Sequence, residues 1–366
     1  MLEENNINIS DEQSDTTENN IQEEREQLPV YYEQPSQFEN PYQQILEKHL
    51  KRKEIRKIAL AIGLSMLSLT VISFLFTFAY LFFSWAVVKF SLAQTIAVLD
   101  NPAMQQVLQI VISSFAFLVP FTLAAKCLGL RIDHTIKFEK PKKGTFLPFV
   151  LIGIGFCAFS NIAMSLASSV FEWLGVDYAV DFGDSPKGIF GFLLSLIATA
   201  IVPALVEEFA CRGILLGLLK KHGTAFAIVA SSIAFGIMHG NFEQIPFATL
   251  VGLILGYIYV KTESIWCCVT VHFVNNSISV ILTYLGDFVS ANITNLIYVV
   301  YLILAMLAAL IGVMLVSKRD EQQFEIEDQK DENITLKQKY IWFFTSPAIV
   351  LFIIVNVLQS LTFFFI

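Results

Sequence analysis

Long uncharged apolar runs make up most of this chain, and short polar connections separate them. Each run is about as long as a helix that crosses a bilayer, roughly 20 residues at ~1.5 Å each. The pattern predicts an all-α polytopic membrane protein with about eight or nine transmembrane helices. The predicted spans are 58–88, 106–125, 146–172, 188–219, 224–240, 246–261, 265–284, 296–317 and 341–366.

Two of these spans, 224–240 and 246–261, are short. A buried re-entrant pair is the alternative for them, because non-helical backbone at membrane depth is tolerated where protein surrounds it. Whether the total is eight or nine depends on this pair.

Composition supports a membrane protein. The chain is 55% hydrophobic and 15% charged, whereas a soluble domain carries about 25% charged residues. The five cysteines form no CxxC pair, and four of them lie in apolar runs. Cysteine in such a run behaves as a small hydrophobic residue, so we expect neither disulfides nor a cysteine-based metal site.

The first 57 residues differ from the rest. Residues 1–40 carry a net charge of −10 and the whole chain −8, so the remainder carries +2. A polar segment of this kind buries too little apolar surface to fold alone. We therefore predict a disordered cytoplasmic tail at 1–57, open to a partner, then N-terminal transmembrane helices at 58–185, a catalytic core at 186–285 and C-terminal transmembrane helices at 286–366.

The lysines and arginines predict the orientation, since cytoplasmic loops are enriched in them. A basic cluster precedes the first span, and further bases follow at alternate connections, while the other connections carry acids. We expect a multi-pass protein with its N-terminus in the cytoplasm. The Gln- and Asn-rich composition of the tail suggests a bacterial plasma membrane. The basic residues are Lys48, Lys51, Arg52, Lys53, Arg56, Lys57, Lys126, Arg131, Lys137, Lys140, Lys142, Lys143, Lys220, Lys221, Lys261, Lys318 and Arg319.

Ionisable residues inside apolar runs are costly to bury unless they are paired, so they mark candidate functional sites. Glu207, Glu208 and Arg212 lie in one such run. Glu208 and Arg212 are four residues apart and share a helix face, where they can pair. Glu207 points about 100° away and has no partner at that spacing. A carboxylate that lies in an apolar run without a partner can act as a base.

Two further sets lie on the following apolar runs. His239 ends the segment that starts at Phe235, and His272 stands four residues before Asn276. The spacing directs His272 and Asn276 toward one point. Each set alone is equally consistent with interhelical hydrogen bonding, but three sets on successive spans favour a chemical site.

At these positions the sequence resembles the CPBP family, the CAAX-protease and bacteriocin-processing intramembrane proteases. The family pattern is EExxxR, FxxxH and HxxxN on successive helices. Here it reads Glu207-Glu208 to Arg212, Phe235 to His239, and His272 to Asn276. The match covers roughly 188–285, and the motifs are complete.

The resemblance implies an intramembrane endopeptidase that uses a glutamate-activated water. Glu207 would be the general base, and His239 would help to position and deprotonate the water. His272 and Asn276 would stabilise the oxyanion. Glu208 and Arg212 would orient the site or hold a substrate carboxylate, with Phe235 in support. Peptide hydrolysis needs a general base and hydrogen-bond donors directed at the oxyanion.

Zinc is the alternative cofactor, because two histidines and one glutamate form a known hydrolase set. Glu207, His239 and His272 would then be its ligands. The chain has no HExxH, so we favour the metal-free mechanism with no cofactor.

Two other classes of function remain open. A transporter would use the same residues as a proton or substrate pathway but predicts inverted repeats, which the sequence does not show. A non-catalytic bacteriocin-immunity or scaffold protein predicts eroded motifs. The expected partners are a membrane protein or peptide substrate and the lipid bilayer, without nucleic acid.

Overall fold

The structure is a computed structural model that describes residues 41–87, 91, 96–97, 100–173, 184–318, 324–326 and 333–362. Residues 48–366 form one compact unit. Of residues 1–47, the described part is the beginning of a helix that starts at Pro41.

Helices make up most of the described segments, which contain no β-strand. The helices are α1 Pro41–Val87, α2 Pro102–Cys127, α3 Ile132–Thr135, α4 Phe146–Trp173, α5 Gly188–Lys220, α6 Thr224–Ile237, α7 Gln244–Thr262, α8 Ile265–Gly286, α9 Ala291–Ser317, α10 Leu336–Phe344 and α11 Pro347–Thr362.

The all-α polytopic class is confirmed. In the described part, seven helices are long and apolar enough to cross a membrane, namely α1, α2, α4, α5, α7, α8 and α9. The pair α10 and α11, bent by 71°, makes eight if it counts as one span. The described residues therefore place the number at seven or eight, which overlaps the expected eight or nine only at eight.

The segment at 224–240 accounts for the difference. Its helix α6 has 14 residues and is about 21 Å long, which is shorter than the ~30 Å hydrocarbon core. By contrast, α7 has 19 residues and passes as a candidate span. The pair is therefore one short buried helix followed by one full helix.

The boundary of the N-terminal tail needs a correction. Residues 41–57, expected to be disordered, belong to helix α1. Their sequence is rich in Leu, Lys, Arg and Glu, which favour helix. Ile55 is fully buried, and Glu54 forms an ion pair with Lys221 beyond α5. Residues 1–40 lie outside the described residues.

Helix α5 packs against α2, α6 and α8, while α4 packs against α7, α8 and α9. This arrangement places α5, which carries the two glutamates, next to both α6 and α8, and α7 packs against α6.

Helices α6 and α7 approach each other closely through glycines. A Cβ atom on Gly236 would lie 2.0 Å from Thr249 Oγ1 and 2.6 Å from the Ile245 carbonyl oxygen. A Cβ atom on Gly252 would lie 3.0 Å from Ser232 Cα. Small residues permit such approach between membrane helices. The approach brings the α7 backbone within reach of α5.

The close packing predicts a large difference between two glycine variants. Gly236→Ala should lower the stability of the folded protein by about 1–3 kcal/mol, because the added methyl group meets backbone and side chain. Gly286→Ala is the matched control, since nothing lies within 4 Å of its Cβ position. Thermal unfolding in detergent measures both, and equal midpoints would contradict the packing.

Candidate active site

Helix α5 is irregular around the two glutamates. Two π-helical stretches, Leu196–Ile201 and Phe209–Leu216, flank the α-helical turns Val202–Glu208. Such π stretches widen a helix and are frequent at functional sites. The two glutamates therefore lie on a short regular segment between two widened ones.

Pro203 explains one link between α5 and α8. Proline has no N–H, so the carbonyl of Thr199, four residues earlier, loses its usual α-helical donor. The side-chain amide of Asn276 donates to this carbonyl, with 3.0 Å between Nδ2 and the oxygen. Asn276 thus joins α8 to α5 two turns before Glu207.

Glu208 is the centre of a buried polar cluster. Its Oε1 accepts from Arg212 Nη1 at 2.8 Å and lies 2.8 Å from His272 Nδ1. Glu208 and Arg212 are 0% and 1% exposed. Arg212 also donates from Nη2 to the Gly252 carbonyl at 3.2 Å. Because buried charges need such partners, these bonds make the pair tolerable. The predicted pairing of Glu208 with Arg212 is present.

Phe235 lies among three of these polar side chains. The Arg212 guanidinium carbon is 4.5 Å from the centroid of the Phe235 ring, which is cation–π geometry. The rings of His239 and His272 meet Phe235 nearly at right angles, with centroids 5.0 Å and 6.1 Å away. Phe235 thus separates the two histidines and fixes the position of each.

The cluster sets the orientation of His272. A carboxylate only accepts hydrogen bonds, so Nδ1 donates to Glu208. The other ring nitrogen, Nε2, then faces Glu207, with 3.9 Å to its Oε2. This distance exceeds hydrogen-bond length. Within the described residues, Glu207 Oε2 has no hydrogen-bond partner.

Glu207 and His239 border one cavity of about 200 Å³. His239 Nδ1 lies 2.9 Å from the Phe235 carbonyl oxygen. A carbonyl accepts only, so Nδ1 donates and Nε2 is left as an acceptor in the neutral ring. The cavity therefore holds a carboxylate and an imidazole acceptor side by side. Its other walls are Leu69, Ser73, Ile112, Ser113, Ala116, Phe117 and Met238.

The turn after His239 holds that residue in place. Gly240 has φ +65°, a conformation that favours glycine, and the Gln359 side chain of α11 lies 3.1 Å from its Cβ position. Asn241 then accepts from the Gln244 backbone N–H at 2.7 Å. The chain thus turns directly into α7.

The structure separates the seven candidate residues into three groups. Glu207 and His239 border the cavity, while Glu208, Arg212, Phe235 and His272 form the buried cluster. Asn276 is bonded to Thr199 and does not line the cavity. Glu207, His239 and His272 do not converge as zinc ligands, since nowhere in the described chain do three His, Cys, Asp or Glu side chains form a metal-binding group.

The sequence did not reveal several parts of this site. The Gly252 carbonyl carries no side-chain signal. Ser73 and Ser113 lie in apolar runs that resemble ordinary spans. Pro203 was a usable signal, because a proline within an apolar helix frees a carbonyl four residues earlier.

The geometry defines a membrane protein with several apolar helices and a cluster of buried ionisable side chains on adjacent helices. Residues 189–278 match the family model described as Type II CAAX prenyl endopeptidase Rce1-like. Over this segment the chain is similar to the CAAX prenyl endopeptidases of that family model, and the resemblance seen in the motifs is confirmed.

A similar protein is "Putative membrane peptidase YdiL" of Bacillus subtilis (strain 168). The two are 32% identical over 90 residues, which are 24% of this chain and 37% of that protein. The similarity thus spans little more than a third of the relative. No solved structure matches the chain significantly.

The buried ion pair makes a testable prediction. Arg212→Met should destabilise the protein by about 3–5 kcal/mol, because it leaves the Glu208 carboxylate buried without its cation. Adding Glu208→Gln should recover a large part of the loss. Thermal unfolding in detergent measures both variants, with Arg52→Met on the exposed part of α1 as the control. A double variant no more stable than Arg212→Met would argue against the pairing.

Proposed function

We propose that this protein is an intramembrane endopeptidase, which hydrolyses a peptide bond in a membrane-associated protein or peptide by means of a glutamate-activated water. The observation that carries the proposal is the Glu207 carboxylate, whose Oε2 lacks a partner within the described chain and which shares a cavity with His239. The match of residues 189–278 to the Rce1-like model supports it.

In the proposed reaction, Glu207 takes a proton from water while the water oxygen attacks the scissile carbonyl carbon. The carbon becomes tetrahedral and its oxygen becomes an oxyanion. The intermediate collapses when the carbon–nitrogen bond breaks and the leaving amine receives the proton from Glu207. His239 accepts from the same water through Nε2 and so orients it. General acid–base catalysis of this kind contributes typically about 10²–10⁴-fold in rate.

His272 is the proposed oxyanion donor. It acts as the imidazolium, in which Glu208 accepts from Nδ1–H while Nε2–H is directed toward Glu207 and the reaction centre. Asn276, whose amide donates to the Thr199 carbonyl outside the cavity, links α8 to α5 in this proposal. A single such donor is typically worth ~10²–10³ in rate.

Glu208 and Arg212 orient the site in this proposal. Both side chains are almost completely buried, and their hydrogen bonds go to each other, to His272 and to Gly252. This burial disfavours the other role implied by the family, which is to bind a substrate carboxylate.

We also propose the location and the orientation. The connections after α2, α5, α7 and α9 carry lysine or arginine. We propose that these connections and the N-terminus lie in the cytoplasm, with α6 and α7 together leaving that face and returning to it. The composition of the tail favours a bacterial plasma membrane. A membrane protein or peptide and the surrounding bilayer are then the partners.

The central test is Glu207→Gln in the full chain. The change should lower kcat/KM for a quenched lipidated-peptide library by about 10³-fold, because the base is lost. The fold should persist, since Glu207 Oε2 makes no hydrogen bond to the described residues. Glu263→Gln, at the end of α7, is the matched control. Full activity of Glu207→Gln would exclude Glu207 as the base.

A chelator separates the two hydrolytic mechanisms. We expect wild-type cleavage to persist with a zinc chelator, as the Glu207 mechanism uses no metal. Activity that disappears with chelator and returns with added zinc would instead support a metalloprotease on Glu207, His239 and His272. Peptide cleavage followed by fluorescence is the measurement.

The cavity walls make a separate prediction. Ala116→Phe places a phenyl ring in a cavity of about 200 Å³ and should lower kcat/KM by about 10²-fold through misplaced substrate. Val119→Phe is the control on the same helix, because Val119 is 45% exposed and outside the cavity. Equal kinetics for the two variants would show that the substrate does not use this cavity.

A further inference from the structure

A second cavity lies away from the active site, where two helices begin. It has a volume of about 480 Å³ and is lined by Lys140, Lys142, Lys143, Phe146 and Trp266, among others. Phe146 is the first residue of α4 and Trp266 the second residue of α8. Both helices are candidate membrane spans, so the cavity lies at the edge of the apolar region.

The loop that carries the three lysines is hydrogen-bonded to the start of α8. The Ile265 backbone N–H donates to the Lys137 carbonyl at 2.9 Å. Trp266 Nε1 donates to the Phe138 carbonyl at 2.8 Å, and Ser264 Oγ donates to the Glu139 carbonyl at 2.8 Å. Three consecutive carbonyls of the loop are thus bonded to three consecutive residues. This bonding holds the lysines beside the indole ring.

The lining combines two chemistries. Lys140, Lys142 and Lys143 supply three positive charges, and Glu139, the nearest acid in the sequence, is not part of the lining. Phe146 and Trp266 supply an apolar wall and are 38% and 42% exposed. A basic pocket with an aromatic wall at a membrane boundary suits a ligand with an anionic head and an apolar body. An anionic phospholipid has this character.

We propose that this cavity binds an anionic phospholipid, with the three lysines around its phosphate and with Phe146 and Trp266 against the first part of its acyl chains. The site is separate from Glu207 and His239 and does not depend on peptide hydrolysis. Because the loop is bonded to the start of α8, a bound lipid also reinforces the helix that carries His272.

Native mass spectrometry of the full chain in detergent tests this proposal. The protein is titrated with phosphatidylglycerol and with phosphatidylcholine. We expect wild type to bind phosphatidylglycerol at least ~10-fold more tightly. K140Q/K142Q/K143Q should lose on the order of 100-fold in phosphatidylglycerol affinity, at about fivefold per lysine. K140R/K142R/K143R keeps the charge and should retain most of the affinity.

A matched control removes three bases elsewhere. R52Q/K53Q/K57Q removes the same charge from exposed positions of α1. This variant should lose less than ~10-fold in phosphatidylglycerol affinity. Equal losses in the two glutamine variants would overturn the site in favour of general surface charge. Equal wild-type affinity for phosphatidylglycerol and phosphatidylcholine would overturn the proposed site, and this comparison does not depend on whether a variant folds. Wild-type binding of glycerophosphoglycerol as tight as that of the lipid would identify a site for free phosphate esters instead.

Discussion

The burial of one carboxylate and one guanidinium among apolar helices is the constraint on which this site depends. Such a pair needs further hydrogen-bond partners nearby. Glu208 Oε1 has two hydrogen-bond partners, while Glu208 Oε2 has none among the described residues. Arg212 therefore needs the Gly252 carbonyl, and that carbonyl comes within reach because α6 and α7 meet at Gly236 and Gly252. The same pair holds His272 through Glu208. The candidate chemistry thus depends on one ion pair and on the helix packing that supplies a partner for that pair.

Two adjacent glutamates have different surroundings because a helix turns about 100° per residue. Glu208 faces α8 and is occupied by Arg212 and His272, whereas Glu207 faces a cavity between α5 and the first two helices. A carboxylate with strong partners serves structure, and one without them can exchange a proton. The proposed division between a positioning residue and a base follows from this difference in direction.

Much of the site could be predicted from side chains, because charges within apolar runs are rare and helical spacing decides which of them meet. The pairing of Glu208 with Arg212 required only this rule. Three features could not be predicted in this way. The Gly252 carbonyl belongs to the backbone, the π stretches of α5 have no simple pattern, and the contribution of Ser73 and Ser113 depends on packing between distant helices. The helical start of α1 was missed because its charges resemble those of a solvated tail.

The short helix α6 has a further consequence for how the chain can tolerate change. His239 lies two residues beyond its end, and the turn at Gly240 leads directly into α7. One residue inserted into α6 would rotate His239 by about 100° and move it by ~1.5 Å along the axis. The length of this helix is therefore under a stricter constraint than its composition, and related chains should differ here by substitution and not by insertion or deletion.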